Sequence, residues 1–246
     1  MVNKSGLRLI DALFPQRCIL CQFPSRRSQA LCLDCEAELL ANDNACHRCA
    51  LPLAGPVTDE KDRLCAKCLQ APPPYDRVIA PFLYDEIFSW LIHRWKFQRE
   101  QRLTSLLAHL WLAGNTHVPQ VDKLVPVPLH WRRRWWRGFN QSELLCRELA
   151  RRHPALANTA CDRKLLARSR PTAPQSGMNL RQRAVNLEAA FTVRGPCDNL
   201  RLAVVDDVLT TGATAGAVAS SLRAAGAAHV EIWCLARTPP PGRSQP

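Results

Sequence analysis

Eight cysteines fall before residue 70 of this 246-residue chain, as four CxxC pairs: Cys18/Cys21, Cys32/Cys35, Cys46/Cys49 and Cys65/Cys68. Each pair puts two thiolates on one turn, and two pairs complete a tetrahedral shell of four soft ligands, which suits Zn²⁺. The gaps between pairs are ten, ten and fifteen residues, the last close to the spacing of known zinc sites. Sequential pairing closes the shortest loops. It predicts Cys18, Cys21, Cys32 and Cys35 on one ion and Cys46, Cys49, Cys65 and Cys68 on the other, although an interleaved arrangement also uses every thiol. The competing readings are a disulfide framework and, for His47, a spare ligand. Four thiolates leave no open coordination position, so both ions are expected to be structural.

A second constellation lies in RLAVVDDVLTTGATAG, Arg201 to Gly216. An apolar strand delivers Asp206 and Asp207 at its carboxyl end, where open α/β sheets bind ligands. The turn Thr210, Thr211, Gly212, Ala213 and Thr214 then leads into a helix, whose first N–H groups and positive end would wrap a phosphate. Two acids beside a bare phosphate would repel it. A ribose 5-phosphate reconciles them, presenting hydroxyls to the acids and phosphate to the turn.

Between Trp131 and Arg137 stand three of the seven tryptophans and four arginines, Arg132, Arg133, Arg134 and Arg137. Arginines engage phosphates, while Trp131, Trp135, Trp136 and Phe139 offer stacking faces, a combination suited to single-stranded nucleic acid. The alternative is inward-packed tryptophans beneath a solvated basic face. Pro126 and Pro128 fix the turn before this segment, which reads as an Arg-rich loop suited equally to pyrophosphate. Lys96 either pairs with phosphate or extends along apolar surface to solvent. Cys146, Cys161, Cys197 and Cys234 read as unligated thiols.

The elements that must position these groups follow from periodicity. Arg77 to Tyr84 and Val121 to Val127 read as strands, Ser142 to Arg152 as a helix, Leu200 to Val205 as a strand, Thr214 to Ala225 as a small-residue helix and His229 to Leu235 as a closing strand. This alternation predicts an α/β fold, a largely parallel sheet flanked by helices. Pro72, Pro73 and Pro74 break it from the cysteine-rich start, dividing the chain into a double zinc-ribbon module over 1–70, an α/β domain over 75–238 and a disordered tail over 239–246. Gly177, Pro171 and Pro174 suggest a lid loop between residues 168 and 183.

Composition sets the wider limits. With 47% apolar residues the chain is not mainly disordered, and its net charge of +12 favours polyanions or anionic surfaces as partners. No apolar run approaches the roughly 18 residues of a membrane span; Leu103 to Gly114, broken by Thr104, Ser105 and His109, reads as a buried helix. The start of the chain lacks a leader-like cleavage site, so a cytoplasmic protein is expected.

The acid pair followed by TTGAT resembles the PRPP-binding signature of type I phosphoribosyltransferases. The resemblance implies that Asp206 and Asp207 contact the ribose hydroxyls, that residues 210–214 hold the 5-phosphate and that Mg²⁺ accompanies PRPP. Together with the CxxC-rich start, HRWKF at 93–97, VPVPLHWRRRWWRGFNQSELL and RPTAPQSGMNLRQRAVNLEAAF, the chain resembles the ComF family, including its ComFC and GntX members. Members combine a zinc ribbon with a phosphoribosyltransferase-like domain and are associated with natural transformation or use of external DNA. The resemblance nominates Arg137, Gly138, Asn140, Gln141, Thr172, Gln175, Arg183 and Asn186 as pocket residues. Met178 stands where Leu is expected, a volume-conserving change. Three readings stay open: a single-stranded-DNA-handling protein that meets the DNA-uptake machinery, an active phosphoribosyltransferase with an unknown acceptor, and a non-catalytic zinc-ribbon adaptor.

Overall fold

Two compact units make up the computed structural model, Met1–Leu40 and Ala41–Pro246, and the structure describes residues 16–55, 63–115, 118–168 and 190–240. The first unit has little apolar core: Cys18, Ile19, Leu31 and Leu39 are its buried apolar side chains among the described residues. Its one helix among the described residues, α1 (Leu33–Ala37), starts at Cys32, whose Sγ accepts from the Cys35 N–H, and Arg27 pairs with Glu36 across the unit.

The second unit begins well before the proline run. Its apolar core holds Cys46, Cys49, Cys65 and Cys68 beside Val125, Leu202, Val204 and Val218, with Leu51, Leu53 and Leu64 packed against it. The compact units divide after Leu40, within the stretch expected as one double zinc-ribbon module. The second ribbon shares the apolar core of the strands and helices that follow it.

The main sheet is parallel throughout. Its strands are β1 (Arg77–Ile79), β3 (Lys123–Pro126), β4 (Ala160–Cys161), β7 (Arg201–Val205) and β9 (His229–Trp233), ordered β1-β9-β7-β3-β4. Leu202 to Val205 and Val230 to Trp233 are buried without alternation, as strands covered on both faces must be. Three adjacent strands then break and resume. β1, β7 and β9 give way to β2 (Phe82–Leu83), β8 (Val208–Leu209) and β10 (Ala236–Arg237), which pair in the matching order β2-β10-β8. The breaks fall at Ala80–Pro81, Asp206–Asp207 and Cys234–Leu235, so the run 77–84 is two strands in two sheets, not the single strand expected. Cross-links hold the break: Asp206 N–H donates to Trp233 O at 2.9 Å and Leu235 N–H to Asp207 O at 2.9 Å. This interruption carries the two acids.

Helices α3 (Glu86–Phe97), α4 (Leu103–Ala113), α6 (Gln141–Arg152) and α7 (Ala213–Ala224) flank the sheet, with a short α2 (Ala66–Gln70) in the second ribbon. Helix α7 buries Ala215, Ala217, Val218, Ala219 and Leu222, small side chains that permit close approach to the strands. The buried indoles are each hydrogen-bonded: Trp95 to Thr104 Oγ1, Trp111 to Cys234 O and Trp233 to Glu231 Oε2. The segment expected as an Arg-rich loop is helical, α5 (Trp131–Arg137), because His130 caps its start through Nδ1 and Gly138, at φ 82°, turns the chain out of it. Strands β5 (Leu166–Arg168) and β6 (Phe191–Val193) form an antiparallel pair. No helix among the described residues is long and apolar enough to cross a membrane.

Candidate functional site

The sequential pairing of cysteines is the one the chain adopts: Cys18, Cys21, Cys32 and Cys35 bring their Sγ atoms within 4.8 Å of one another, as do Cys46, Cys49, Cys65 and Cys68. His47 belongs to neither group. A tetrahedron with Zn–S arms of about 2.3 Å has edges of about 3.8 Å. Cys21 and Cys32 sulfurs stand 3.8 Å apart, and those of Cys49 and Cys65 3.7 Å, well beyond a disulfide bond. The donor set therefore fits two structural zinc ions. Backbone geometry repeats as well: Gln22 N–H donates to Cys18 O and Ala50 N–H to Cys46 O, while Arg17↔Pro24 and Ala45↔Pro52 form matching bridges.

At the sheet break, the two acids are held from two helices. Lys96 of α3 pairs with Asp207 Oδ1 at 2.7 Å, and Gln141 Nε2 of α6 donates to Asp207 Oδ2 at 2.7 Å. Ser142 Oγ, one residue on, donates to Asp206 Oδ1 at 3.2 Å. Asn140 sets this arrangement, capping α6 by accepting from Ser142 N–H and donating its side-chain amide to Val127 O at 3.0 Å. Arg137 is buried behind the group, Nη1 donating to Gln141 Oε1 at 2.7 Å and Nε lacking a partner among the described residues. Burial lowers its pKa below the ordinary arginine value, against the pull of Asp207.

Burial and the adjacent Asp207 carboxylate push Asp206 up to about 7, while Lys96 and Ser142 pull the other way. At neutral pH the pocket thus holds a partly protonated Asp206 beside the Lys96 and Arg137 side chains. Such a site tolerates an anion and offers both acceptors and a donor to hydroxyl groups.

The turn beyond is open. Thr210, Thr211 and Ala213 are exposed, Gly212 sits at φ 81° ahead of α7, and Thr211 Oγ1 accepts from Ala213 N–H at 3.3 Å. Beneath it lies buried Arg237, whose Nη1 reaches the carbonyls of Leu209, Thr210 and Thr238 and whose Nε reaches that of Cys49.

A third surface carries the aromatics. Trp131, Trp135 and Trp136 are 65%, 85% and 58% exposed, and Arg132, Arg133 and Arg134 are exposed among them. Helix α3 adds half-exposed Trp90 and Phe97, with Arg94 lying 4.7 Å over the Trp90 ring. Phe97 and Trp136 rings approach to 6.1 Å, and Arg99 Nη2 donates to Trp136 O, tying the two helices together.

These placements sort the sequence expectations. Arg137 parts from its three neighbours and joins the acid network, its guanidinium 5.1 Å from the Phe97 ring. Phe139 is buried and offers no stacking face. Gly138 serves to end α5, whereas Lys96, Asn140 and Gln141 converge on the acids or on the helix that holds them. Thr172, Gln175, Arg183 and Asn186 lie outside the described residues, as do residues 169–183 of the expected lid loop and the tail from residue 241. Ser142 and Arg237 escaped sequence reasoning. Ser142 follows an N-cap asparagine by two residues, a position whose side chain faces the helix's approach, but nothing in Ala236–Arg237 signals a buried guanidinium.

Similarity to known proteins fits this layout. Residues 9–69 match the double zinc ribbon domain. The DNA utilization protein YhgH of Salmonella typhi is 38% identical over 231 residues, covering 91% of this chain and 98% of that one. Its counterpart in Escherichia coli strain K12 is 36% identical over the same shares. Competence protein F of Haemophilus influenzae is 32% identical over 226 residues, 84% of this chain and 96% of the relative. Among solved structures, a purine phosphoribosyltransferase from Pyrococcus horikoshii aligns at 18% identity and a TM-score of 0.31, over 58% of this chain and 75% of that one. With relatives this similar along nearly its whole length, the chain belongs to the ComF family.

Proposed function

We propose that this protein handles single-stranded DNA in DNA utilisation or natural transformation, with a ribose 5-phosphate site of the PRPP type at the sheet break. The observation that carries the reading is the exposure of Trp131, Trp135 and Trp136 on one short helix with Arg132, Arg133 and Arg134. Indoles normally bury; three left in solvent beside three arginines form stacking faces within a phosphate-attracting field. The names of the relatives, DNA utilization protein and competence protein F, agree with it. In the ribose site, Asp206 and Asp207 take the sugar hydroxyls and residues 210–214 the phosphate.

Fluorescence anisotropy of a labelled oligonucleotide across a salt series tests the DNA arm. Replacing Arg132, Arg133 and Arg134 by Ala should reduce the slope of log affinity against log salt by roughly 2, at about 0.7 per phosphate released. Trp135→Ala with Trp136→Ala should leave the slope nearly fixed and cost about 1–3 kcal/mol per base engaged. An unchanged slope in the arginine variant removes this helix from DNA contact.

The acid network favours a second reading, phosphoribosyl transfer from PRPP to an acceptor. Lys96 and Arg137 beside an acid near pH 7 resemble a site that stabilises departing negative charge and exchanges a proton. Release of pyrophosphate from PRPP, measured with a panel of bases and amines, separates turnover from binding alone.

A further inference from the structure

A cavity of about 740 Å³ opens on the side of the phosphate turn away from the two acids, and its far wall is the second cysteine ribbon. Thr210, Thr211, Gly212 and Ala213 line one side, while Lys67, Cys68 and Tyr75 line the other. Neither Asp206 nor Asp207 borders it.

Tyr75 is the telling residue. Only 5% exposed, it points its hydroxyl at the turn, where a Cβ built on Gly212 would stand 3.3 Å from it. The hydroxyl has no hydrogen-bond partner among the described residues. The ring is buried while its oxygen reaches the cavity, where it is free to donate to a bound group. A side chain at 212 would close the gap, so the glycine keeps the hydroxyl and the turn open to each other.

The charges point the same way. Buried Arg237 borders the cavity and spends its hydrogen bonds on carbonyls alone, those of Cys49, Leu209, Thr210 and Thr238, so a guanidinium sits directly behind the turn with no carboxylate bonded to it. Lys67, exposed between Cys65 and Cys68, adds a second cation at the mouth. With zinc bound, four thiolates carry about two net negative charges, which would repel an anion; these two cations stand where they offset that repulsion.

We propose that the second ribbon is a wall of the phosphate site: the Tyr75 hydroxyl and the Lys67 ammonium bind the phosphate monoester whose remaining oxygens meet Thr210–Ala213. This rests on the reading of the turn as a sugar-phosphate site and extends it by assigning the ribbon a ligand-binding face, with a sugar 5-phosphate as the ligand class.

Titration calorimetry on the full, zinc-loaded chain tests this with ribose 5-phosphate and inorganic phosphate as probes. Tyr75→Phe, which removes one oxygen, should weaken both probes roughly 10- to 100-fold, as loss of a hydrogen bond to a charged group does. Lys67→Gln should weaken both several-fold and flatten the salt dependence. Equal weakening of the two probes marks contact with the phosphate; replacing Asp206 and Asp207 by Asn should spare inorganic phosphate. If wild type binds neither probe, the turn is not a phosphate site and both readings fall. Wild-type binding with unchanged affinity in folded Tyr75→Phe and Lys67→Gln overturns this proposal and leaves the turn standing. Should Tyr75→Phe not fold, Lys67→Gln alone decides.

Discussion

The two cysteine ribbons are built alike and live differently. Cys18 and Cys46 stand twenty-eight residues apart, and the same offset relates the bridges Arg17↔Pro24 and Ala45↔Pro52 and the left-handed residues Gln22 and Ala50. Each ribbon ends in a five-residue helix that starts at its third cysteine. Yet only Cys18 is buried in the first tetrad, whereas all four cysteines of the second are. One ribbon is a small unit with four buried apolar side chains among the described residues; the other is part of a core that includes the central strands. The same knuckle is thus a self-contained module in one place and a structural member of the α/β unit in the other. What decides is the chain around the thiols: Ala50, Leu51, Leu53 and Leu64 give the second ribbon an apolar face, while the first exposes Phe23 and Leu33.

The comparison breaks most sharply at the metal. A structural zinc site of this kind contributes about 10–16 kcal/mol in isolated ribbons, as much as the whole stability of many domains. Cys32→Ser should therefore leave one zinc per chain by native mass spectrometry and unfold the first unit alone. Cys65→Ser should also leave one zinc but remove most of the stability of Ala41–Pro246. All seven tryptophans lie beyond residue 40, so their fluorescence reports on the second unit only. Its melting should be unchanged in the first variant and drop steeply in the second, and a chelator should strip the exposed first tetrad before the buried one. Equal melting in the two variants would mean that the second ribbon is as separable as the first.

The ribbons also mark how far the sequence can be read. Cysteine spacing predicts both tetrads because ligand chemistry is local: CxxC brings its two thiolates together wherever the chain goes. It says nothing of which tetrad is buried, which depends on surfaces brought from residues 125, 204 and 218. The strand ending in Asp206 and Asp207 and the helix after Gly212 are legible from apolar runs and a turn residue. That the strand is interrupted at the acids, and that β9 and β1 are interrupted beside it, is a register effect between distant segments. Arg137 shows the limit best. Beside Arg132, Arg133 and Arg134 it reads as a fourth phosphate contact, but α5 is a helix and Gly138 ends it, turning Arg137 inward to Gln141 while the others face solvent.

A smaller effect separates the units by pH. The first unit's carboxylates among the described residues, Asp34, Glu36 and Glu38, are exposed or half-buried, whereas the second holds Asp206 with its pKa pushed up to about 7. A carboxyl whose folded pKa lies above its unfolded value binds more protons when folded, so it costs stability as pH rises from about 4 through 7. Asp206→Asn removes that cost. The variant should match wild type near pH 4 and exceed it at pH 8 by on the order of 2–4 kcal/mol, read as tryptophan-monitored denaturant melting of zinc-loaded protein. No gain at pH 8 would mean that Asp206 is ionised in the folded state at ordinary cost, and that the pocket is more solvated than its geometry implies.

The smallest effect compares the knuckles directly. Gln22 and Ala50 both sit in left-handed backbone, at φ 65° and 53°, and in both ribbons follow the second cysteine. A β-branched residue is strained there by roughly 1 kcal/mol beyond an unbranched one, wherever the site lies. Their surroundings differ: Gln22 is exposed and Ala50 is 3% exposed within the shared core. Gln22→Val should therefore show backbone strain alone, together with loss of the 3.0 Å bond from Gln22 Nε2 to Ile19 O. Ala50→Val adds two methyl groups to a filled core, which typically costs a further 1–3 kcal/mol. Hydrogen exchange of zinc-loaded protein resolves each ribbon's own stability, with amides of residues 18–23 reporting on one and 46–51 on the other. A larger loss at Ala50 by that margin means the second knuckle is packed as core. Equal losses would mean the second ribbon's thiols are buried by a surface loose enough to yield, and that the two knuckles differ in exposure but not in constraint.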